Sequence, residues 1–226
     1  ALDRNYISYE DQMKLITSSA LEITRENLNK TSKINWDPKP YIYIFETTTD
    51  NIYKEIHEGK LDMGILVPIA NQEIASLTLF FEELFLFSNV NSESGEIVQT
   101  IIPEKLWILE EGHCLSSQVN SICNLPSGPL IGTKMTYQTG SMETIVRLAD
   151  QGFGQTIIPQ MFVDYLDPKL KEKVYTLPEP KPVREVALVH APSYSRKAIV
   201  KALEVEILAH IPDSWKQAAE RNIIPI

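Results

Sequence analysis

The sequence has few cysteines, no long apolar run and no concentration of positive charge. Two cysteines, Cys114 and Cys123, occur among 226 residues, far fewer than the disulfide framework of a small secreted domain requires. No run approaches the roughly 18 apolar residues of a membrane span, and residues 1–14 lack the apolar centre of a signal peptide. We therefore expect a soluble, cytoplasmic chain with no membrane partner.

The charge balance argues against direct binding of nucleic acid. The formal net charge is −9 and the pI is near 5.0, and lysine and arginine are scattered along the sequence. An acidic surface repels a phosphate backbone, whose neutralisation supplies much of the affinity of DNA-binding proteins. We expect that this chain alone does not bind DNA tightly.

Strand and helix patterns alternate along the chain. Predicted strands lie at 13–17, 39–46, 63–67, 84–90, 105–109, 155–159 and 185–192, and predicted helices at 20–30, 51–60, 140–152 and 195–211. This alternation favours an α/β fold with mostly parallel sheets. The pattern restarts at Leu84 and a proline-rich extended connection covers 177–184, so we predict two lobes. Residues 1–86 and 187–226 form the first, and residues 87–186, with both cysteines, form the second.

Hydroxyl residues and glycines mark the ends of these elements. Thr49 or Asp50 is the predicted N-cap of the helix at 51–60, Gly59 ends it, and Ser195 is the predicted N-cap of the last helix. Ligand sites in parallel sheets lie beyond the carboxyl ends of strands. Several hydroxyl residues that follow predicted strands are therefore expected at one rim: Thr17, Ser18, Thr47, Thr48 and Thr49.

The spacing of the two cysteines differs from that of common motifs. Eight residues separate them, too many for a CxxC redox motif and too many for the usual zinc-finger spacing. A reactive cysteine needs a pKa below that of an ordinary free thiol. His113 adjoins Cys114, and in a helix at 114–123 Cys114 would lie in the first turn, where the helix dipole favours negative charge.

Helix geometry would keep the two thiols apart. Nine steps along an α-helix make about two and a half turns and advance the chain by roughly 13.5 Å. A disulfide needs Cα atoms within about 7 Å of each other. If the segment is helical when reduced, a disulfide can form only after the helix unwinds.

Other interpretations of these residues stay open at this point. Both cysteines could be inert, buried apolar residues. A metal site from His113, Cys114 and Cys123 lacks a fourth ligand at the usual spacing, so no metal is expected. A Cys-His nucleophile would need a distant histidine such as His190. The GFG at 152–154 follows a helix, where a dinucleotide motif follows a strand, and we interpret it as a helix end with no cofactor.

Several segments resemble the OxyR-type hydrogen peroxide sensors, a branch of the LysR-type transcriptional regulators. The specific part is LWILEEGHCLSSQVNSIC, which is similar to that family's GHCL motif with a second cysteine at this spacing. The segments IFETTTDNIYKEIHEGKLDMGIL, TGSMETIVRLADQGFGQTIIP and PEPKPVREVALVHAP also resemble family segments. The similarity covers about residues 13–212.

The resemblance implies a two-lobed, periplasmic-binding-protein-like (type 2) domain with two mixed, mostly parallel sheets. It implies that Cys114 is the peroxidatic cysteine, which forms a sulfenic acid, and that Cys123 is the resolving cysteine. His113 matches the neighbouring histidine of the family. Thr49 matches a threonine that binds peroxide, and Ser18 or Thr17 lies where another hydroxyl is expected.

Two features depart from the family pattern. Arginine and aspartate commonly follow GHCL, whereas this chain has Ser116 and Ser117. The hydroxyl of Ser117 therefore stands where the family has a carboxylate that helps proton transfer. This hydroxyl can still donate a hydrogen bond to peroxide. The winged helix-turn-helix and its linker helix are not in this sequence, so DNA binding is expected only through that separate domain.

The predicted function is the peroxide-sensing regulatory domain of a LysR-type activator of oxidative-stress genes, not an enzyme. The expected partners are hydrogen peroxide, a second copy in a homodimer, a tetramer in the full-length protein, and a thiol reductant such as glutaredoxin or thioredoxin. One alternative is a metabolite-binding LysR-type effector domain or solute-binding domain with inert cysteines. Another is a thiol peroxidase.

Overall fold

The structure is a computed structural model that describes residues 44, 47–70, 73–92, 94–109, 114–123, 141–217 and 222–224. The predicted strands at 13–17 and, apart from Ile44, 39–46 lie outside these residues, as do the helix at 20–30 and the side chains of Thr17, Ser18 and His113. Within the described residues, no helix is long and apolar enough to cross a membrane.

Helices and strands alternate through the described residues. The helices are α1 (Thr49–His57), α2 (Cys114–Cys123), α3 (Met142–Asp150), α4 (Gln160–Tyr165), α5 (Pro168–Lys171) and α6 (Lys197–His210). The strands are β1 (Met63–Leu66), β2 (Ala75–Ser88), β3 (Leu106–Trp107), β4 (Gln155–Pro159), β5 (Val174–Thr176), β6 (Pro182–His190) and β7 (Asn222–Ile223).

The 14-residue strand β2 connects two groups of strands. Its first part, up to Glu83, pairs with β6, which also pairs with β1 and β7. Its last part, from Leu84, pairs with β4 and β5, and β3 pairs with β4. The partner of β2 therefore changes at Leu84, where the sequence pattern restarts. The lobe boundaries at 86 and 187 stay predictions.

The mixed character of the sheet is confirmed, but parallel pairs are not in the majority among the described strands. The pairs β1–β6, β2–β4, β2–β5 and β2–β6 are antiparallel, and β3–β4 and β6–β7 are parallel. The alternation rule assumes that consecutive strands are neighbours. Here β1 and β5 each pair with a strand distant in sequence, so their relative direction does not follow from the order of elements.

The glycines predicted at helix ends are confirmed, whereas the predicted N-caps of two helices are wrong. Gly59 follows the end of α1 with φ of 69°, and Gly152 follows α3 with φ of 81°, as expected for left-handed residues at helix ends. The N-cap of α1 is Thr48, not Thr49 or Asp50, and its side chain makes no capping hydrogen bond. Arg196, not Ser195, is the N-cap of α6. The observed N-caps lie one or two residues from the predicted ones, the usual uncertainty of helix boundaries.

Two strand predictions also need correction. The short apolar run at 63–67 is typical of a strand buried on both faces, but Ile65 in β1 is 37% exposed. Among the described strands, β1 pairs only with β6. The extended connection at 177–184 is shorter than predicted, since β6 begins at Pro182. Pro182 lies at the first position of this strand, where proline is tolerated.

A buried ion pair lies on β2 next to the position at which its pairing partner changes from β6 to β4. Glu82 is 1% exposed and lies opposite Arg184 in the β2–β6 register. Arg184 Nε and Nη2 each lie 2.6 Å from Glu82 Oε1, and the Met161 amide donates to Glu82 Oε2 at 3.0 Å. Because a buried charge that loses its partner is strongly destabilising, these contacts hold β2, β6 and the start of α4 together.

Candidate redox site

Helix α2 contains both cysteines, Cys114 as its first residue and Cys123 as its last. The segment CLSSQVNSIC has no proline or glycine to interrupt a helix. Its apolar residues Leu115, Val119 and Ile122 recur at helical spacing. The sequence left open whether this segment is helical, and the structure has a helix over Cys114–Cys123.

One face of α2 packs onto the second group of strands. Leu115 is 4% and Val119 is 2% exposed. They join a buried cluster whose other members come from β2, β3, β4 and the segment after β5: Leu84, Leu86, Leu106, Ile157 and Leu177. Burying a leucine or valine side chain contributes about 1.5–3 kcal/mol. Packing, more than intrinsic propensity, therefore stabilises this ten-residue helix.

The helix keeps the two cysteines at opposite ends. Their Cα atoms are separated by nine helical steps, or roughly 13.5 Å along the axis, well beyond the limit of about 7 Å for a disulfide. Cys123 is a free thiol, and the side chain of Cys114 lies outside the described part of the structure. A Cys114–Cys123 disulfide is incompatible with an intact α2.

Cys123 lies at the edge of the apolar cluster under α2. It is half-buried and packs against the cluster that contains Leu84 and Val119. Burial raises the pKa of the Cys123 thiol from its ordinary 9.0 to about 11, because a thiolate is poorly solvated among apolar side chains. At neutral pH Cys123 is therefore a protonated thiol, and a thiolate is the form that attacks.

Alkylation should report this pKa directly. In a Cys114→Ser variant, which leaves Cys123 as the single thiol, we expect the rate of reaction with iodoacetamide to keep rising above pH 9.0, with a midpoint near 11. In the same chain unfolded in guanidinium, the midpoint should lie near 9.0. A folded-state midpoint at or below that of the unfolded chain would contradict the assigned environment.

The same shift makes stability depend on pH in the alkaline range. The pKa of Cys123 is higher in the folded chain than in the unfolded chain. Below pH 9.0 both states keep the proton, so this thiol does not make the free energy of unfolding depend on pH there. Between 9.0 and about 11 the unfolded chain loses the proton first. Stability should therefore fall as pH rises through this window.

The predicted peroxide-binding hydroxyls differ in exposure. Thr49 is buried, with 7% exposed, as the first residue of α1. Ser117 is exposed on α2, whereas its neighbour Ser116 is 7% exposed. The structure thus places Thr49 and Ser117 in different settings, and their predicted roles stay predictions.

His190, considered as a partner for a nucleophilic cysteine, lies on β6. Its Nδ1 is 2.7 Å from the Ala191 carbonyl oxygen, and its ring lies 6.0 Å from that of Tyr194. It is buried within the first group of strands, whereas α2 packs on the second. These contacts give His190 a structural role in the first group of strands.

Sequence reasoning missed Gln118. Its side chain is fully buried on α2, and Nε2 donates to the Ile224 carbonyl oxygen at 2.8 Å. The sequence could have indicated this residue, because Gln118 is polar and lies on a helix face otherwise formed by Leu115, Val119 and Ile122. A buried polar side chain among apolar ones usually has a hydrogen-bonding partner to satisfy.

The structure is a periplasmic-binding-protein-like domain that carries a pair of cysteines on one helix. Residues 35–210 match the family model described as LysR substrate binding domain. The chain belongs to this family.

Solved structures give the same classification. The chain is similar to an OxyR mutant from Porphyromonas gingivalis, with 25% identity and a TM-score of 0.73 over 92% of this chain and 93% of that one. It is also similar to reduced OxyR from the same organism, with 27% identity and a TM-score of 0.66 over 90% of this chain and 93% of that one.

Curated relatives agree. The chain is 28% identical to the "Hydrogen peroxide-inducible genes activator" of Dickeya chrysanthemi over 77% of its length and 58% of the relative's. It is 27% identical to the "DNA-binding transcriptional dual regulator OxyR" of Escherichia coli K12 over 80% of its length and 61% of the relative's. The chain thus spans about three fifths of the length of these relatives.

Proposed function

We propose that this chain is the regulatory domain of a LysR-type transcription regulator that senses hydrogen peroxide through a reversible disulfide between Cys114 and Cys123. The supporting observation is the placement of the two cysteines at the two ends of one helix that packs onto the core. Relatives named for peroxide-inducible genes support the choice of oxidant.

The proposed chemistry has two steps. The Cys114 thiolate attacks one oxygen of the peroxide, so that an S–O bond forms, the O–O bond breaks and the leaving hydroxide takes a proton to become water. Cys114 is then a sulfenic acid. The sulfur of Cys123 attacks Cys114, the S–S bond forms and the S–O bond breaks, which releases a second water. Both cysteines are oxidised and the peroxide is reduced.

Cys123 has to change its environment for the second step. In the helical form it is a half-buried, protonated thiol at the far end of α2 from Cys114. Unwinding of α2 removes it from the apolar cluster, lowers its pKa towards that of an exposed thiol and brings it within reach of Cys114. One rearrangement thus supplies both proximity and reactivity.

The free energies involved are of similar size. Unwinding exposes Leu115 and Val119, each worth about 1.5–3 kcal/mol when buried. Closing a loop of this length with a disulfide contributes on the order of 3 kcal/mol by the chain-entropy estimate. The two forms differ by two electrons, so the potential of the thiol reductant, together with these terms, decides the direction of the switch.

The remaining site residues have supporting roles in this proposal. His113 lowers the pKa of the Cys114 thiol, and Thr49, Ser117 and a hydroxyl from Ser18 or Thr17 hold the peroxide. With Ser117 in place of a carboxylate, the hydroxyls supply hydrogen bonds but no acid of carboxyl type.

We further propose that the chain works in the cytoplasm as a homodimer, within a tetramer of the full-length protein. Binding to DNA belongs to a winged helix-turn-helix domain on the rest of that protein. Repacking of α2 would alter contacts between copies and so reorient those domains. A thiol reductant such as glutaredoxin or thioredoxin would restore the thiols.

Peroxide titration tests the function. Mass spectrometry after stepwise addition should show the loss of both thiols at about one equivalent of peroxide per chain, with a disulfide joining Cys114 and Cys123. Steady consumption of peroxide in the presence of thioredoxin would instead indicate a thiol peroxidase. Thermal stabilisation by a metabolite, with no reaction of the cysteines, would indicate a metabolite-binding domain.

Thr49→Val should slow the first step. The substitution removes the hydroxyl and keeps the shape, so we expect the rate of Cys114 oxidation to fall by about tenfold or more, because a positioned hydrogen-bond donor stabilises the charge that develops on the peroxide. Sulfenic acid formation in a Cys123→Ser background, followed by trapping with dimedone, measures that rate.

Thr156→Val is the matched control for this experiment. Thr156 is 2% exposed and its hydroxyl donates to the Trp107 carbonyl oxygen at 3.1 Å. This variant should lose some stability and keep the oxidation rate. Equal rates of Cys114 oxidation in the wild type and in Thr49→Val would show that Thr49 takes no part in binding peroxide.

A further inference from the structure

Helix α2 also makes a direct contact with Ile224, the residue that follows strand β7. Gln118 lies on the inward face of α2 and its Nε2 donates to the Ile224 carbonyl oxygen at 2.8 Å. Among the described residues, Gln118 Oε1 has no hydrogen-bonding partner. The side chain therefore connects α2 to the segment after β7 through a single hydrogen bond.

Strand β7 has few other attachments in the described residues. It spans Asn222–Ile223 and pairs in parallel with β6. The Ile224 amide donates to the Val183 carbonyl oxygen at 2.8 Å, and Asn222 Nδ2 donates to the Pro180 carbonyl oxygen at 3.1 Å. Because the strand is short and, among the described strands, pairs only with β6, the bond from Gln118 adds to the few contacts that hold it in place.

We propose that Gln118 is a positioning residue that transmits the redox state of α2 to the C-terminal segment at 222–224. The helical form holds β7 against β6, and unwinding of α2 withdraws Gln118 and releases β7. This proposal rests on the proposed disulfide switch. It adds a second consequence of oxidation, at the edge of the first group of strands.

The physical reason is the hydrogen bond that Ile224 loses. A partly buried carbonyl oxygen without a donor is unfavourable, so β7 opens to let water reach it. The Ile224 amide, which donates to Val183, then exchanges with solvent. Exchange at this amide is a direct readout of the position of β7.

Hydrogen exchange of the Ile224 amide, by NMR or by mass spectrometry of the C-terminal peptide, tests the proposal in the full chain. We expect peroxide oxidation to speed exchange by about tenfold or more. In the reduced Gln118→Met variant, which keeps the volume and removes the donor, exchange should already be fast. Peroxide should then produce little further change in that variant.

Two controls separate this proposal from the disulfide switch. Gln160→Met removes a surface hydrogen bond to Asp164 and should keep the slow, redox-dependent exchange of the wild type. Mass spectrometry of the same samples reports the disulfide. Absence of a disulfide would overturn the proposed function, whereas a disulfide with unchanged Ile224 exchange would overturn the coupling alone. If Gln118→Met does not fold, the comparison of oxidised and reduced wild type decides.

Discussion

Replacement of Cys114 by serine should abolish the disulfide that peroxide forms in this chain and leave Cys123 as a free thiol. The reason is the difference in environment between the two cysteines. Cys123 is half-buried with its pKa raised to about 11, so at neutral pH it is a poor nucleophile towards peroxide. Cys114 begins a helix, where the dipole favours a thiolate.

The complementary variant gives the matched control. Cys123→Ser should still react with peroxide at Cys114, but the product should stop at a sulfenic acid that dimedone traps. Thiol counting, mass spectrometry and mobility on non-reducing gels distinguish the two variants. Rapid oxidation of Cys123 at low peroxide in the Cys114→Ser variant would show that the two roles are reversed, or that the two cysteines do not differ in reactivity towards peroxide.

Leu115→Ala should make the Cys114–Cys123 disulfide markedly harder to reduce. Leu115 is 4% exposed in the helical form, and truncation of a buried leucine costs about 2–5 kcal/mol. In the disulfide-bonded form α2 is unwound, so the substitution has a much smaller effect there. Destabilising only the reduced form lowers the reduction potential by about 40–100 mV, since 30 mV corresponds to about 1.4 kcal/mol for two electrons.

Leu84→Ala is the matched control, because Leu84 is 0% exposed in the same cluster but lies on β2. It should lower the stability of both redox forms by similar amounts and leave the potential near that of the wild type. Equilibration with glutathione buffers, followed by alkylation and mass spectrometry, gives the potentials. Equal shifts in the two variants would mean that α2 does not leave the core on oxidation.

Elements near the redox helix could be predicted from the sequence. The strand Gln155–Pro159 follows from a β-branched run, and the break after α3 follows from its glycines, which have positive φ. The helical spacing of apolar residues in 114–123 is compatible with the helix that the structure has there, which the sequence alone left as a condition. Each depends on a few consecutive residues. Such features need no knowledge of what packs against them.

Features that depend on distant contacts could not be predicted in the same way. Strand β2 was expected to start at Leu84, but it starts at Ala75, because pairing with β6 extends a segment whose own pattern is irregular. The antiparallel pairs follow from which strands become neighbours. Gln118 was missed because its partner, Ile224, is 106 residues away in the chain.

The most direct test of the account is the distance between Cys114 and Cys123 in crystals of the reduced chain and of the same chain after peroxide treatment. The account predicts an intact α2 with the two Cα atoms roughly 13.5 Å apart along the axis when reduced. After peroxide it predicts an unwound segment with a sulfur–sulfur bond of about 2.05 Å and Cα atoms within about 7 Å. An intact α2 with both thiols still separated after oxidation would contradict it.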